Sequence, residues 1–355
     1  MTVFWITLCS TFMIALLARF VAKPTLTGHL FVEPNKVLVF IVITVMVLVS
    51  GLRNGIGDTY FYMYSYRTTV FSLENILFKA DFGFNLIQYV LQYISMDPQL
   101  LIFVVALVTN VLILLVLLKY SRFFELSIFL YITSGQYLVS MNGIRQFLAG
   151  ALLFAATKYI FDGNWKKYMV IVLIASTIHQ SALILIPIYF IVRQKAWTTQ
   201  TYLLLTLAVL FVFGYGQFSQ AFFSVIKDTK YSEYENLETH GANFLRVIVT
   251  AAPLIIAYFG REKLRRIFPK SDYIVNMCLI NVVVMLISTQ QWIFARFSIY
   301  FGLYILILIP WIIELFVPKD RKLVYYAILV CYCIYYYYES VISLNIRYTS
   351  NFFKL

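Results

Sequence analysis

Long apolar runs separated by short polar loops dominate the chain, and they predict membrane-spanning helices. A helix needs about 20 apolar residues to cross the hydrocarbon layer. Runs of this kind lie at residues 2–20, 37–52, 99–118, 125–141, 143–161, 201–218, 246–260, 273–290, 297–317 and 323–340. No polar stretch between them is long enough for a soluble domain. We therefore expect an all-α, polytopic membrane helical bundle of about ten transmembrane helices, forming one membrane domain over residues 1–355.

A further apolar run, residues 168–192, has two interpretations. As one long tilted helix, it would place the basic loop 261–270 outside and the acidic loop 228–238 inside, which reverses the usual positive-inside distribution. As a segment that enters the membrane and returns, it keeps every basic loop on the inner side. The run is too short for two full spans. We therefore predict a re-entrant or broken hairpin with its tip near residues 177–181, and both chain termini outside.

Three polar stretches remain for the outer side. Residues 53–98 are rich in Tyr and Phe. Their apolar residues recur at helical spacing, which predicts amphipathic helices on the membrane surface. The other two stretches are a tight turn at Asn142–Gly143 and the acidic, aromatic residues 219–245, which include His240. The apolar residues that define the spacing in the first stretch are Phe84, Ile87, Val90, Leu91 and Ile94.

Composition supports the membrane interpretation and argues against nucleic-acid binding. The chain is 62% hydrophobic and only 12% charged, whereas soluble domains carry roughly 25% charged residues. Its net charge is +12, but the basic residues cluster in short loops, as the positive-inside rule requires. The four cysteines lie in apolar runs and are interpreted as packing residues. The first run lacks a preceding basic region, which favours a membrane span over a cleaved signal peptide.

Three arginines are candidates for binding phosphate at the outer membrane boundary. Arg53 follows the second span, Arg145 follows the Asn142–Gly143 turn, and Arg296 opens the ninth span. A guanidinium group can hold phosphate oxygens in a bidentate manner, so three of them suit a pyrophosphate. The alternative for each arginine is contact with lipid headgroups.

His179 and Asp58 are candidates for proton transfer. His179 lies in an apolar run beside Thr177, Gln180 and Ser181, a polar cluster that fits a hydrated cavity. The alternative is a histidine that is hydrogen-bonded to a neighbouring helix. Asp58 follows two glycines in GIGDTYFY and is suited either to pairing with an arginine or to orienting a sugar hydroxyl; the alternative is a turn or cap residue.

Several familiar motifs do not occur in the sequence. It contains no Walker A motif, no H-E-x-x-H and no G-x-S-x-G. The first outer loop also lacks the acidic pair expected of many metal-dependent membrane glycosyltransferases. We therefore expect neither a metal nor another cofactor.

Five segments together resemble the EpsG family, which belongs with the Wzy-type polymerases of bacterial polysaccharides. The order and spacing of these segments are more specific than any one of them. Asp81 stands where the family pattern leads us to expect Glu. The last segment resembles the closing Arg-x-x-x-Tyr helix of the family, with Arg296 and Tyr300 at its two positions. The segments are LRNGIGDTYFY (52–62), DFGFNLI (81–87), MNGIRQFLAGALLFAATKYI (141–160), IASTIHQSALILIPIY (174–189) and RFSIYFGLYILILIP (296–310).

The resemblance implies a metal-independent glycosyltransferase that polymerises oligosaccharide repeat units linked to undecaprenyl pyrophosphate. Such enzymes act at the outer face of the bacterial cytoplasmic membrane, where a flippase and a chain-length regulator are candidate partners. The alternatives are a glycan ligase and a flippase or transporter. A transporter is disfavoured because the chain shows no internal repeat. The residues expected to act in catalysis are His179, Arg145 and Asp58, and those expected to bind substrate are Arg53, Gln146, Arg296, Tyr300 and Ser181.

Overall fold

The computed structural model describes residues 1–22, 33–76, 80–215 and 241–352, and within these ranges the chain is predominantly helical. Two helices of the amino-terminal half begin at side-chain caps. Asn35 accepts hydrogen bonds from the amides of residues 37 and 38, and Asp97 caps a helix that has proline at its first position. The helices of this half are α1 Thr2–Phe20, α2 Lys36–Gly51, α3 Thr59–Thr68, α4 Leu73–Ile76, α5 Phe82–Ile94, α6 Pro98–Tyr120, α7 Phe124–Thr133, α8 Gln136–Asn142, α9 Ile144–Ala155 and α10 Thr157–Asp162.

The carboxyl-terminal half contains more irregular helical segments. A 3₁₀ helix, Gln180–Ile184, interrupts one apolar run, and several short 3₁₀ turns interrupt another between residues 292 and 315. The last helix continues into a π-helix, Tyr337–Ser343. The α-helices of this half are α11 Trp165–Ile178, α12 Leu185–Val192, α13 Thr199–Phe213, α14 Phe244–Phe259, α15 Arg261–Ile267, α16 Ser271–Ser288, α17 Ser298–Phe301, α18 Ile305–Ile312 and α19 Arg321–Tyr336.

Within the described residues, five helical segments are long and apolar enough to cross a membrane. A sixth is added if α14 and α15, which meet at an angle of 84°, count as one broken span. The other predicted spans are shorter or interrupted; α2, for example, has 16 residues and is about 24 Å long. The structure therefore confirms the all-α polytopic class. The full-length segments are Thr2–Phe20, Pro98–Tyr120, Ile144–Asp162, Ser271–Ser288 and Trp292–Leu315.

The run 168–192 forms the predicted hairpin. The rings of Tyr168 and Tyr189 lie 4.9 Å apart, although a continuous helix would separate these residues by about 32 Å. The guanidinium of Arg193 donates to the carbonyl of Ile160, so the end of α12 lies beside the start of α11. The helix breaks at His179, whose backbone is extended with φ −150° and ψ 114°. The chain thus returns to the end from which it came, and the single tilted helix is excluded.

The prediction of one uninterrupted span over residues 125–141 is wrong. The chain leaves the helical conformation at Ser134 and Gly135, where Gly135 has φ +83°. The apolar residues of α5 divide between the protein interior and its surface, and whether this surface contacts a membrane stays a prediction. Phe84 and Leu91 are buried, whereas Val90 and Ile94 are exposed. The α5 helix packs against α11 through a narrower stripe than the apolar spacing indicates.

Basic loop residues that the charge pattern assigns to the inner side lie together at one end of the bundle. Arg265 donates to the carbonyl of Ala196 at 3.1 Å, and Lys270 donates to the carbonyl of Phe161 at 2.7 Å. Lys263 likewise donates to a carbonyl of the loop before α19. Lys263 and Lys270 satisfy carbonyl groups at the ends of helical segments, as cations near helix C-termini commonly do, whereas Arg265 bonds to the linker between α12 and α13. Which face of a membrane this end meets stays a prediction.

The opposite end is formed by the segment 53–98, the α8–α9 junction, the hairpin tip and the carboxyl terminus. Residues near the terminus cross the end of α2, where Asn54 donates its amide to the carbonyl of Thr349 at 3.0 Å. Gly83 allows α5 to approach the hairpin, because a Cβ atom at this position would lie 2.9 Å from the carbonyl carbon of Thr177. Most of the predicted polar stretch 219–245, with His240, lies outside the described residues.

Candidate active site

A cavity of about 910 Å³ opens among the elements at this end of the bundle. Its walls come from the start of α3, the turn before α5, the α8–α9 junction, the hairpin tip, the start of α14, the turn at residues 292–297 and the π-helix. Its volume is near the upper end of the range for small-molecule sites. Segments separated by nearly 300 residues therefore converge on one space. The sequence-predicted residues that line it are Asp58, Arg145, Gln146, His179, Ser181 and Arg296.

Asp81 connects three of these elements. It precedes α5 in a left-handed backbone conformation, with φ +59°, and is only 7% exposed. One carboxylate oxygen accepts the amide of Gln180 at 2.9 Å and lies 3.5 Å from Nδ1 of His179. The other oxygen accepts a hydrogen bond from Arg145 Nη1 at 3.2 Å. One buried carboxylate thus positions both the predicted cation and the predicted proton acceptor.

The contacts of Asp81 favour its ionised form. Burial alone would raise the pKa of this carboxyl group. The nearby imidazole of His179, the hydrogen bond from the Gln180 amide and the positive charge of Arg145 outweigh burial and hold the pKa of Asp81 below its usual range. Asp81 is therefore a carboxylate at neutral pH and serves as a fixed negative charge.

Arg145 lies between Asp81 and the cavity. Its Nε donates to the hydroxyl of Tyr62 at 3.4 Å, and its guanidinium lies 5.6 Å from the centroid of the Tyr62 ring. The ring of Phe84 lies 5.9 Å from the same group. The side chain is 38% exposed, and Nη2 has no partner among the described residues. Arg145 is therefore held in place on one edge and keeps donors for a bound anion.

Nδ1 of His179 faces Asp81 but makes no hydrogen bond of standard geometry among the described residues. The imidazole is 19% exposed, and its nearest acidic partner is Asp81, at a distance slightly longer than a standard hydrogen bond. A neutral imidazole that carries its proton on Nδ1 presents the lone pair of Nε2. Aspartate–histidine contacts of this kind fix the tautomer of a catalytic base. The arrangement can therefore accept a proton from a group in the cavity.

A hydrogen-bonded network fixes the hairpin tip to its neighbours. Gln146 donates to the carbonyl of Arg296 at 3.0 Å and to Ser181 Oγ at 3.4 Å. The Ser181 hydroxyl also lies 2.8 Å from the hydroxyl of Tyr300. Gln146 and Tyr300 are buried, so their amide and hydroxyl groups hold the wall together. Of this set, Ser181 and Gln146 reach the cavity lining, whereas Tyr300 supports it from behind.

Arg296 and Asp58 complete the lining on two further sides. The Arg296 guanidinium lies 5.4 Å from the centroid of the Trp292 ring, and no acidic side chain pairs with it among the described residues. The amide of Asp58 donates to Asn142 Oδ1 at 2.9 Å. Gly57, at φ +51°, permits this contact, since a Cβ atom there would lie 2.9 Å from Cβ of Asn142. Arg296 is suited to binding an anion, and the Asn142 contact holds the backbone of Asp58 at the cavity wall.

Arg53 does not reach the cavity, so its predicted role in substrate binding is not supported. It is 1% exposed, and it donates to the carbonyls of Met141 and Ser50 and to Thr59 Oγ1. Its hydrogen bonds join the end of α2 to the end of α8 and the start of α3. The sequence does not indicate this structural role, because an arginine that follows an apolar run can lie equally well at the membrane surface.

Sequence reasoning missed Asp81, Tyr62 and a second ion pair in the cavity. In that pair, Arg246 at the start of α14 donates from Nε to Glu339 Oε1 of the π-helix at 2.7 Å. Asp81 stands in DFGFNLI, so the only signal for it was its place in a family-like segment. Arg246 and Glu339 are 93 residues apart, and no local pattern connects them.

Comparison with known proteins gives one family. The family model described as the EpsG family matches residues 36–353, nearly the whole chain. Searches of curated proteins and of solved structures find no match. The matched range includes every residue that lines the cavity. The chain therefore belongs to the EpsG family, a family of Wzy-like polymerases, and is a membrane protein of polysaccharide biosynthesis.

Proposed function

We propose that the protein polymerises oligosaccharide repeat units carried on undecaprenyl pyrophosphate, at the outer face of a bacterial cytoplasmic membrane. The observation that carries the proposal is the contact of Asp81 with both Arg145 and His179 at the wall of one large cavity. A glycosyl transfer from a pyrophosphate carrier needs a cation for the leaving group and a base for the acceptor hydroxyl. The cavity offers both within the reach of one carboxylate.

In this mechanism, Arg145 and Arg296 bind the pyrophosphate of the donor. Their guanidinium groups neutralise the negative charge that grows on the leaving group as the bond to the anomeric carbon breaks. Asp81 keeps Arg145 in position, and it prevents this arginine from turning away when the site is empty. Such fixed charges stabilise a transition state without reorganising during the reaction.

His179 removes the proton of the acceptor hydroxyl. The hydroxyl oxygen attacks the anomeric carbon of the donor, the new glycosidic bond forms, and undecaprenyl pyrophosphate leaves. Nε2 of His179 takes the proton, while the carboxylate of Asp81 stabilises the resulting imidazolium. Asp58 is the second candidate for this base, because it lines the same cavity.

The test is reaction of the purified protein with lipid-linked repeat units. A ladder of products that differ by one repeat unit supports the proposal. A single transfer to a different acceptor indicates a ligase, and movement of the lipid across vesicles without bond formation indicates a flippase. Either of the last two results overturns the proposal.

The variant His179→Ala tests the role of the base. We expect polymerisation to slow about a hundredfold, which is the usual contribution of one acid–base group. The matched control is Ser176→Ala on the same hairpin, since the Ser176 hydroxyl bonds only to the carbonyl of Leu173 among the described residues and is absent from the cavity lining. A well-folded His179→Ala protein with the wild-type rate would assign the proton transfer to another group.

A further inference from the structure

The cavity has a second polar region, which the mechanism above does not use. It lies on α14, α16, the α7–α8 junction and the π-helix, away from α5, α9 and the hairpin. Its charged pair is Arg246 with Glu339, and within the described residues no hydrogen bond or ion pair connects it to Asp81 or Arg145. The proposed mechanism therefore does not account for the polar residues of this region.

Three buried hydrogen-bond acceptors in this region have no donor among the described residues. Asn281 is 2% exposed, and its Oδ1 atom has no partner among the described residues. Oε2 of Glu339 and Oε1 of Gln136 also lack donors, although the other carboxylate oxygen of Glu339 accepts both bonds from Arg246. Burying a polar group without a partner is costly, so native proteins rarely keep such groups without a function for them.

The chemistry of these groups selects the type of ligand. The unpartnered atoms are acceptors, and the charge of Arg246 is already paired with Glu339, so a phosphate or pyrophosphate would find no free cation here and would supply no protons. A sugar ring is neutral and carries several hydroxyl donors. Tyr335 and Tyr332 also line this region, and aromatic rings can pack against the apolar face of a sugar. A carbohydrate therefore satisfies the groups that an anion cannot.

The backbone of this region is also unusual. Glu339 lies in a π-helix of seven residues, and the amide of Leu344 donates to the carbonyl of Glu339 at 3.0 Å, five residues back. π-Helical turns are rare and are found frequently at functional sites. A cavity of about 910 Å³ has room for a sugar here as well as for a pyrophosphate at Arg145.

We infer that Asn281, Glu339 and Arg246 form the subsite for the acceptor sugar, the ring whose hydroxyl attacks the donor. The assignment to the acceptor rests on the proposed function, since the donor pyrophosphate takes the Arg145 end of the cavity. The carboxylate and the amide oxygen accept hydrogen bonds from ring hydroxyls, and Arg246 holds the Glu339 side chain in position through its hydrogen bonds. These residues orient the acceptor and do not take part in proton transfer.

The decisive variant is Asn281→Leu, which removes the unpartnered acceptor, keeps the same number and branching of side-chain heavy atoms, and leaves every charge in place. The matched control is Asn276→Leu on the same helix. The Asn276 amide donates to the carbonyls of Val192 and Gln194, outside the cavity lining. The control is expected to lower Tm without changing sugar binding. A second variant, Glu339→Gln, keeps the shape of the side chain and removes its charge.

The binding probe is the free oligosaccharide released by mild acid from the lipid-linked repeat unit of the host strain. Its affinity for the purified protein is measured by saturation-transfer NMR. We expect Asn281→Leu to weaken binding about tenfold, as the loss of one hydrogen bond predicts, and Asn276→Leu to leave it unchanged. In polymerisation assays, the KM for a short-chain lipid-linked acceptor should rise by a similar factor, with the KM for the donor unchanged.

Equal oligosaccharide affinity of the wild type and Asn281→Leu would overturn the inference, and so would a rise in the donor KM alone. A wrong proposed function would give a different result. The wild type would form no polymer, but it would still bind the oligosaccharide more tightly than Asn281→Leu. That result would support a sugar subsite and would remove its assignment to the acceptor.

Discussion

Replacing Asp81 by asparagine is the most direct test of how the site is organised. The substitution preserves the shape of the side chain. It also keeps an oxygen that can accept the hydrogen bond from the Gln180 backbone amide, which is 2.9 Å long in the wild type. It removes the charge that faces Arg145 and His179. Each hydrogen bond to a charged partner contributes about 1.5–3 kcal/mol. Because the Arg145 side chain is 38% exposed and keeps Tyr62, water recovers part of the loss, and we expect a stability decrease of about 2 kcal/mol.

The effect on activity should exceed the effect on stability. Without the carboxylate, neither the tautomer of His179 nor the position of Arg145 is fixed, and displacement of a catalytic group by about 1 Å can cost a hundredfold in rate. The assay is the initial rate of ladder formation from lipid-linked repeat units, with Tm measured on the same preparations. The matched variant Asp81→Glu keeps the charge and should retain activity within about tenfold of the wild type.

The dependence of Tm on pH shows whether Asp81 stabilises the protein through its charge or only through packing. The pKa of Asp81 is lower in the folded protein than in the unfolded chain, whose carboxyl group titrates near pH 3.9. Its stabilising contribution is therefore complete at neutral pH and disappears as the pH falls through the folded-state pKa. The Tm advantage of the wild type over Asp81→Asn should narrow between about pH 5 and pH 2. A wild-type rate for Asp81→Asn, with a constant Tm difference across this range, would refute the proposed role.

Three further predictions follow from the geometry. Arg145→Lys keeps the charge but loses the planar fork, so the KM for the lipid-linked donor should rise about tenfold or more, and an unchanged KM would exclude bidentate binding. Gly83→Ala forces a Cβ atom against the Thr177 backbone and should lower both Tm and activity by displacing the hairpin tip, so an unchanged rate would contradict the close packing of α5 on the hairpin. Arg53→Met leaves buried carbonyls unpaired and should cost about 3 kcal/mol with donor binding retained in the folded fraction, whereas lost donor binding at an unchanged Tm would restore Arg53 as a substrate ligand.

The sequence predicts the hairpin correctly because two independent constraints coincide there. The loop charges require the run 168–192 to return, and its length excludes two full spans. The break itself falls at His179, where Gln180 and Ser181 interrupt the apolar pattern. His179, Arg145 and Arg296 could be singled out because lipid disfavours such residues wherever they lie in apolar surroundings.

The rest of the site depends on contacts that no local pattern reports. Asp81 lies in an aromatic segment predicted to rest on the membrane surface, and only the tertiary structure brings it to a histidine about 100 residues later. For Arg53, the sequence indicates a position at the membrane boundary, whereas the structure buries the side chain. Its sequence neighbourhood is that of a boundary arginine, yet three residues from separate elements accept its hydrogen bonds. The distinction between a surface arginine and a buried one is set by packing alone.

The half-length hairpin also determines when the site can form during synthesis. Helix α11 has 14 residues and a length of about 21 Å, which is shorter than the roughly 30 Å of a hydrocarbon layer. Polar groups where such a helix breaks must find partners inside the protein. At the tip, the backbone amide of Gln180 donates to Asp81, made earlier by the ribosome, and the hydroxyl of Ser181 bonds to that of Tyr300, made more than 100 residues later. The cavity is thus completed only after the segment that carries Tyr300 and the π-helix have both been synthesised, and a prematurely terminated chain lacks part of the cavity wall.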